Sequence, residues 1–278
     1  MFKGRNLLIA TKHKKEEVIG PILEKKLGVK CIVSSNFDTD ALGTFTGEIE
    51  RKEDAISTVR NKCLMAMELN NCDLAVASEG SFNPHPTLFF AAADDEFLIF
   101  IDKINDLEII VRELSAETNF NGSEIKSERE LMEFIDSVQF PSHRLIIKKD
   151  KEDLTEMVKG IGSYEQLMTT FNDFISKYGS AYIETDMRAM YNPTRMKIIE
   201  KAAYKLINKI NTLCPVCKFP GFGVTEIKSG LPCLWCHFPT KSTLSHIYTC
   251  QKCSFIKEEK FPNNKQTEDP MYCDVCNP

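Results

Sequence analysis

The chain has no apolar run approaching the ~18 residues that cross a bilayer, and it opens without the charged, apolar and small-residue succession of an export leader. Those absences predict a cytoplasmic protein with no membrane partner. An excess of positive charge is missing as well. Against 35 Lys and Arg stand 40 Asp and Glu, a net charge of −5 at pH 7, which is the wrong sign for a chain that binds nucleic acid as a whole by electrostatics. Cysteine is sparse over most of the length. Cys31, Cys63 and Cys72 read as small core residues of a reducing compartment, with no catalytic role.

The remaining eight cysteines crowd into the last 65 residues as four C-x2-C pairs, Cys214/Cys217, Cys233/Cys236, Cys250/Cys253 and Cys273/Cys276. One such turn aims two thiolates at a single tetrahedral ion, so four turns supply ligands for two structural zinc ions. The gaps are 15, 13 and 19 residues. The outer two sit in or beside the usual ribbon window, which favours consecutive pairing: Cys214/Cys217 with Cys233/Cys236, and Cys250/Cys253 with Cys273/Cys276. Cross-braced and nested pairings are the alternatives. His237 and His246 lie close enough to replace a cysteine, but with eight thiolates they read as polar loop residues. The tail from Cys214 carries seven Lys and six Asp or Glu, so a role in folding or protein contact is expected over nucleic-acid binding.

At 278 residues with 42% hydrophobic content, the chain predicts two units: an α/β domain over 1–212 and a double zinc ribbon over 213–278. Apolar periodicity reads as strand 6–11, helix 14–27 with Pro21 as a kink or break, strand 29–35, helix 49–69 and strand 73–78 ending at Glu79-Gly80. A hairpin follows, 97–103 and 108–114, turning at Asn105-Asp106. Then come helix 128–138, strand 144–148, helix 164–178, strand 181–184 and helix 193–210. The order implies a mixed central sheet with flanking helices, whose ligands belong at the carboxyl ends of strands.

Polar clusters fall at such ends. Thr11, Lys14 and Lys15 combine a hydroxyl and cations with the start of a helix, as a phosphate site requires. Glu79 leaves a buried apolar strand with Ser81 beyond it, a placement that needs water, a cation or a metal. His85 sits between prolines in a loop. The segment Glu184 to Arg195 sets Glu184 and Asp186 against Arg188 and Arg195 at a strand-to-helix junction, with Asn192 and Pro193 as start signals. Lys197, Lys201, Lys205 and Lys209 read as the wet face of the last helix.

The stretches IATKHKKE, RNKCLMA and CDLAVASEG together resemble the inosine/xanthosine triphosphate pyrophosphatase superfamily over residues 6–120. His13 stands where that family prefers Asn. The resemblance implies that Thr11 with Lys14 or Lys15 holds phosphates. It also implies that Glu79 binds magnesium with an acidic residue of the helix ahead of RNKCLMA, among Glu48, Glu50, Glu53 and Asp54, of which Glu50 is taken. Its activity would be Mg-dependent hydrolysis of a nucleoside triphosphate, with Glu79, Asp186 and Arg195 catalytic and Thr11, Lys14, Lys15, Ser81 and Arg188 on the substrate. ETDMRAMYNPTRM, GLPCLWC and YCDVCNP make the whole chain similar to a bacterial family of uncharacterised proteins. Two other classes stay open: a zinc-ribbon adaptor for nucleic acid or protein, and a different hydrolase or nuclease built on Glu184 to Arg195.

Overall fold

A computed structural model describes residues 1–33, 54–88 and 90–278. The chain is mixed α/β with three sheets and divides into two compact units, Met1–Ile207 and Asn208–Pro278. The division falls inside the last long helix rather than after it. Among the described residues no helix is long and apolar enough to cross a membrane.

The first sheet contains β1 (Asn6–Ala10), β2 (Lys30–Val33), β3 (Leu74–Pro84), β4 (Ala92–Asp102) and β5 (Leu107–Ser115) in the order β2-β1-β3-β4-β5. β1 runs parallel to β2 and to β3, while β3, β4 and β5 form an antiparallel meander. Period-2 alternation assigns the faces. Leu8, Ala10, Ala75 and Ala77 pack with Val59, Cys63, Ala66 and Met67 of α2 (Ala55–Leu69). Ile9 points the other way, where Gly20 of α1 (Glu16–Leu27) lies against its side chain. Helices on opposite faces of neighbouring parallel strands create a switch point at the carboxyl end of β1, beside the middle of β3.

Several local expectations change. α1 runs through Pro21, because that residue faces solvent and the carbonyl that loses its partner can be hydrated. Asp54 caps α2 from outside, its carboxylate accepting from the Ile56 and Ser57 N–H groups. The expected helix start at 49–53 and the strand end at 34–35 lie outside the described residues. β3 does not stop at Glu79-Gly80 but continues to Pro84, paired along its whole length with β4.

Residues expected to extend one central sheet instead build a second. β6 (Gly122–Ile125), β7 (Leu145–Lys148), β8 (Met157–Ile161) and β9 (Ala181–Thr185) lie in the order β6-β9-β7-β8 with every pair antiparallel. α3 (Glu128–Ser137) and α4 (Tyr164–Tyr178) close it over a core of Leu131, Ile135, Leu145, Phe171 and Ile183. Ser163 accepts from the Gln166 N–H at the start of α4, and Gly179 ends the helix at φ 77°. β6 and β8 escaped the sequence reading because they are short and hold Gly, Ser, Glu and Lys in place of an apolar run. α5 (Pro193–Asn211) follows. Its lysine stripe is only partly wet, since Lys201 reaches Glu117 at 2.7 Å and Lys205 reaches Glu113 at 3.2 Å.

The second unit is a three-stranded antiparallel sheet of β10 (Gly223–Ser229), β11 (Thr243–Thr249) and β12 (Ile256–Lys260), with β11 in the middle. Three of its cysteine turns share one geometry. Lys218, His237 and Ser254, each following a second cysteine, stand at φ 62°, 60° and 57° and donate N–H to the carbonyl of the first cysteine. Left-handed non-glycine residues at matched places show that the turn overrides their preference.

Candidate functional site

The chain turns sharply after β1. His13 and Lys14 both occupy the left-handed region, at φ 64° and 62°, and this delivers the Lys15 side chain inward at the head of α1 while Lys14 stays on the surface, 3.1 Å from Glu17. Lys15 is buried, and its ammonium lies 3.4 Å from a carboxylate oxygen of Glu96 on β4. The other Glu96 oxygen accepts from Nε of Arg195 at 2.6 Å. Arg195 enters from the first turns of α5, is 1% exposed, stacks 5.2 Å over the Phe82 ring and donates through Nη1 to the Met187 carbonyl. Its own N–H is capped by Asn192 at 2.9 Å. Start signals read from the sequence thus aim a cation into the sheet.

On the α2 face of β3, Glu79 forms a buried ion pair with Lys62. Lys62 also donates to the Ser78 carbonyl at 3.4 Å. Glu79 and Lys62 act on the Lys15 charge, so the two faces meet electrically around the end of β1. Gly80 lies between them opposite Glu96. A Cβ there would fall 2.3 Å from the Glu96 carboxylate and 2.4 Å from the Arg195 guanidinium. Gly80→Ala is therefore expected to destabilise the first unit by about 1–3 kcal/mol, as overpacking does, read as a lowered urea midpoint with unchanged slope. An unchanged midpoint would mean that Glu96 and Arg195 are not locked together.

Asp94, two residues before Glu96 on the same face of β4, is 1% exposed. Among the described residues, the buried side-chain oxygens without a hydrogen-bond partner are Thr11 Oγ1, Ser78 Oγ and both oxygens of Asp94. Thr11 follows the β1 residue paired with Ala77, which sets it beside Ser78. Asp94 lies opposite Phe82, four residues further along β3 than Ser78. Buried polar atoms are nearly always paired, so each of these oxygens marks a place where a ligand, water or ion belongs.

Charge balance shifts the titrations. Burial lowers the Lys15 ammonium to about 8, with Arg195 and Lys62 adding to that and Glu96 and Glu79 opposing it. Burial would raise Glu96, but the charges of Arg195 and Lys15 outweigh it and hold that carboxyl below its ordinary range. Asp94 goes the other way, raised to about 8 by burial and by the Glu96 charge, against the pull of Arg195 and Lys15.

Of the residues singled out from sequence, Thr11, Lys15, Glu79 and Arg195 gather here, with Ser81 half-buried further along β3. Lys14 does not join them. Asp186 and Arg188 form a separate pair, in which the guanidinium engages both carboxylate oxygens and Nε lies 2.9 Å from Oδ1. Arg188 and Arg144 stand 4.7 Å and 4.3 Å from the Tyr191 ring, and Glu184 pairs with buried Lys148 at 2.8 Å. Glu50, Glu48 and Glu53 lie outside the described residues. Among the described residues no group of three His, Cys, Asp or Glu that could hold an ion includes Glu79, which pairs there with Lys62. The sequence reading missed Lys62, Asp94 and Glu96. A signal was present in Asp94-Asp95-Glu96, three consecutive acids that lead straight into the apolar stretch FLIFID.

The cysteines form two sets of four. Cys214, Cys217, Cys250 and Cys253 make one and Cys233, Cys236, Cys273 and Cys276 the other, the sulfurs of each set within 4.8 Å of one another. Sulfur separations of 3.7 Å for Cys214–Cys253, 3.5 Å for Cys217–Cys250, 3.8 Å for Cys233–Cys276 and 3.6 Å for Cys236–Cys273 match the edge of about 3.8 Å expected for a tetrahedron with Zn–S near 2.3 Å. Each set can hold one zinc ion. Pairing is thus first with third and second with fourth, which corrects the consecutive assignment. The reason is the sheet. β10 is about 20 Å long and separates the first turn from the second, while the antiparallel register of Gly223 with Thr249 returns the third turn to the first. His237 and His246 are not in either set.

Cys63 is buried, and burial pushes its thiol and those of Cys31 and Cys72 up, Cys31 to about 12. None has the thiolate character of a nucleophile.

A family model described as Domain of unknown function (DUF6671) matches residues 62–278. That span holds Lys62, Glu79, Asp94, Glu96, Arg195 and all eight clustered cysteines, whereas Thr11 and Lys15 precede it. No curated protein matches the chain.

Proposed function

We propose that this chain, which belongs to the DUF6671 family, binds the phosphate chain of a nucleotide at the carboxyl end of β1, beside the middle of β3, and hydrolyses a phosphoanhydride there. The observation that supports this most is that buried oxygens of Thr11, Ser78 and Asp94 have no hydrogen-bond partner among the described residues, while Lys15 and Arg195 act on Asp94 and Lys62 reaches the Ser78 carbonyl. Lys15, Lys62 and Arg195 supply positive charge where solvent is largely excluded, which strengthens their attraction for phosphoryl oxygens. Thr11 has a hydroxyl to donate. Glu79 is the carboxylate that accepts the proton of an attacking water as its oxygen bonds to phosphorus and pyrophosphate leaves. Magnesium enters as the ion a nucleoside triphosphate carries with it. Each zinc set has four thiolates and no open position, so zinc stabilises the second unit and takes no part in the reaction.

The test is pyrophosphate release from a panel of nucleoside triphosphates by the zinc-loaded protein with Mg²⁺. Release is expected with at least one of them, and Glu79→Gln should lower kcat by about 10²-fold or more with little change in KM. A silent panel would end the hydrolase reading. The adaptor reading is favoured by a different observation, the exposure of Leu234, Trp235, Phe238, Met271, Tyr272 and Val275 on the turns of the second cysteine set, with Trp235 73% exposed. Grouped large apolar side chains often mark contact surfaces.

A further inference from the structure

We propose that Asp94 is held as a neutral carboxylic acid and donates its proton in a hydrogen bond to an oxygen of the bound anion, so that the site captures its ligand only while that proton is in place. This rests on the phosphate-binding reading of the same site. The charges that act on Asp94 are those of Glu96 and Asp95 from its own strand, Arg195 from α5 and Lys15 from the head of α1, and Glu113 of β5, opposite Glu96 on the same face, pairs with Lys205. Arg195 and Lys15 engage the two oxygens of Glu96, and among the described residues neither oxygen of the buried Asp94 carboxyl has a hydrogen-bond partner. An ionised carboxylate buried without a hydrogen bond or ion pair is too costly to persist, and the group neutralises instead. A neutral acid has something to give: one O–H donor.

Counting charges leads to the same place. With Asp94 ionised, Glu79, Asp94 and Glu96 cancel Lys15, Lys62 and Arg195; with Asp94 protonated the six groups carry one net positive charge. The neutral form therefore both attracts an anion and can hydrogen-bond it, while the ionised form has neither net charge nor proton to offer. Apolar surroundings are known to keep carboxylic acids neutral near pH 7 for this kind of donation.

The experiment uses sulfate as probe on the zinc-loaded full-length protein, because sulfate keeps its double charge from pH 7 to pH 10. Its Kd is taken from the concentration dependence of the melting temperature. Asp94 and Lys15 are both set to lose a proton near pH 8, so log Kd in the wild type should rise with a slope approaching two above that pH. In Asp94→Asn, which still donates but cannot ionise, the slope should fall to about one, the share of Lys15. Equal slopes in the two proteins would overturn the role of Asp94 while leaving anion binding intact. Absence of sulfate binding at every pH would overturn both. A second measurement needs no ligand or variant: the infrared carbonyl band of a buried protonated carboxylic acid is expected in the wild type at pH 7 and should vanish by pH 10, and its absence at pH 7 would refute the proposal.

Discussion

Replacing Cys217 and Cys250 together by serine is expected to release one zinc ion, and replacing Cys217 and Cys236 together is expected to release two. The first pair belongs to one tetrahedral set and the second pair to different sets. Consecutive pairing predicts the reverse, so native mass spectrometry of the two double variants separates the schemes. The accompanying loss of stability should be large. A structural zinc site contributes on the order of 10–16 kcal/mol of apparent binding energy at pH 7, more than the whole stability of an ordinary small domain. The sheet of β10, β11 and β12 has little else to rely on: β10 and β12 are exposed along nearly all their residues, and of the strand residues only Ser245 and Ile247 are fully buried. Chelation of both ions should therefore abolish the cooperative unfolding of Asn208–Pro278. Its persistence without metal would show that the cysteine sets are incidental.

Asp94→Asn should stabilise the protein at pH 8 and do little at pH 4. The sign follows from the raised titration of this buried acid. Below about pH 3.9 the carboxyl is protonated in both folded and unfolded chains and has no linkage cost. Between that pH and about 8 the unfolded chain releases its proton while the folded chain retains it, so stability falls with rising pH and then levels off. The cost of a four-unit shift is at most roughly 5 kcal/mol. Asparagine cannot ionise, and the variant should recover most of that amount in urea unfolding at pH 8. A variant less stable than the wild type at pH 8 would mean that Asp94 is ionised and paired in the folded state. Stability lost to keep a group poised is a common property of binding sites.

The sequence identified the elements with strong local signals and missed those set by distant partners. α4 appears with its expected limits because Ser163 and Gly179 mark both ends and an apolar stripe joins them. The hairpin of β4 and β5 turns where expected, with Asp106 left-handed at φ 50°. The eight cysteines announced two metal sites, but gap lengths alone do not tell which turns meet, since that depends on an antiparallel strand lying between them. Lys15 and Arg195 were visible as cations at element starts. Asp94 and Glu96 were not, because an acidic run before an apolar strand looks like a solvated turn until β3 and β5 are known to flank it. Asp186 and Arg188 satisfy each other within two residues, a local pairing that the mixed charge of the segment could not distinguish from a site.

The central claim is that Lys15, Lys62 and Arg195 mark a phosphate-binding site at the end of β1, beside the middle of β3. Calorimetric titration of the zinc-loaded protein with the nucleoside triphosphate panel and Mg²⁺ tests it most directly, using Lys15→Ala and Lys14→Ala side by side. Saturable single-site binding is predicted, weakened at least tenfold, about 1.4 kcal/mol, by Lys15→Ala and unchanged by Lys14→Ala, whose lysine points to solvent and Glu17. Binding of no triphosphate, or equal affinity in the wild type and Lys15→Ala, would contradict the account.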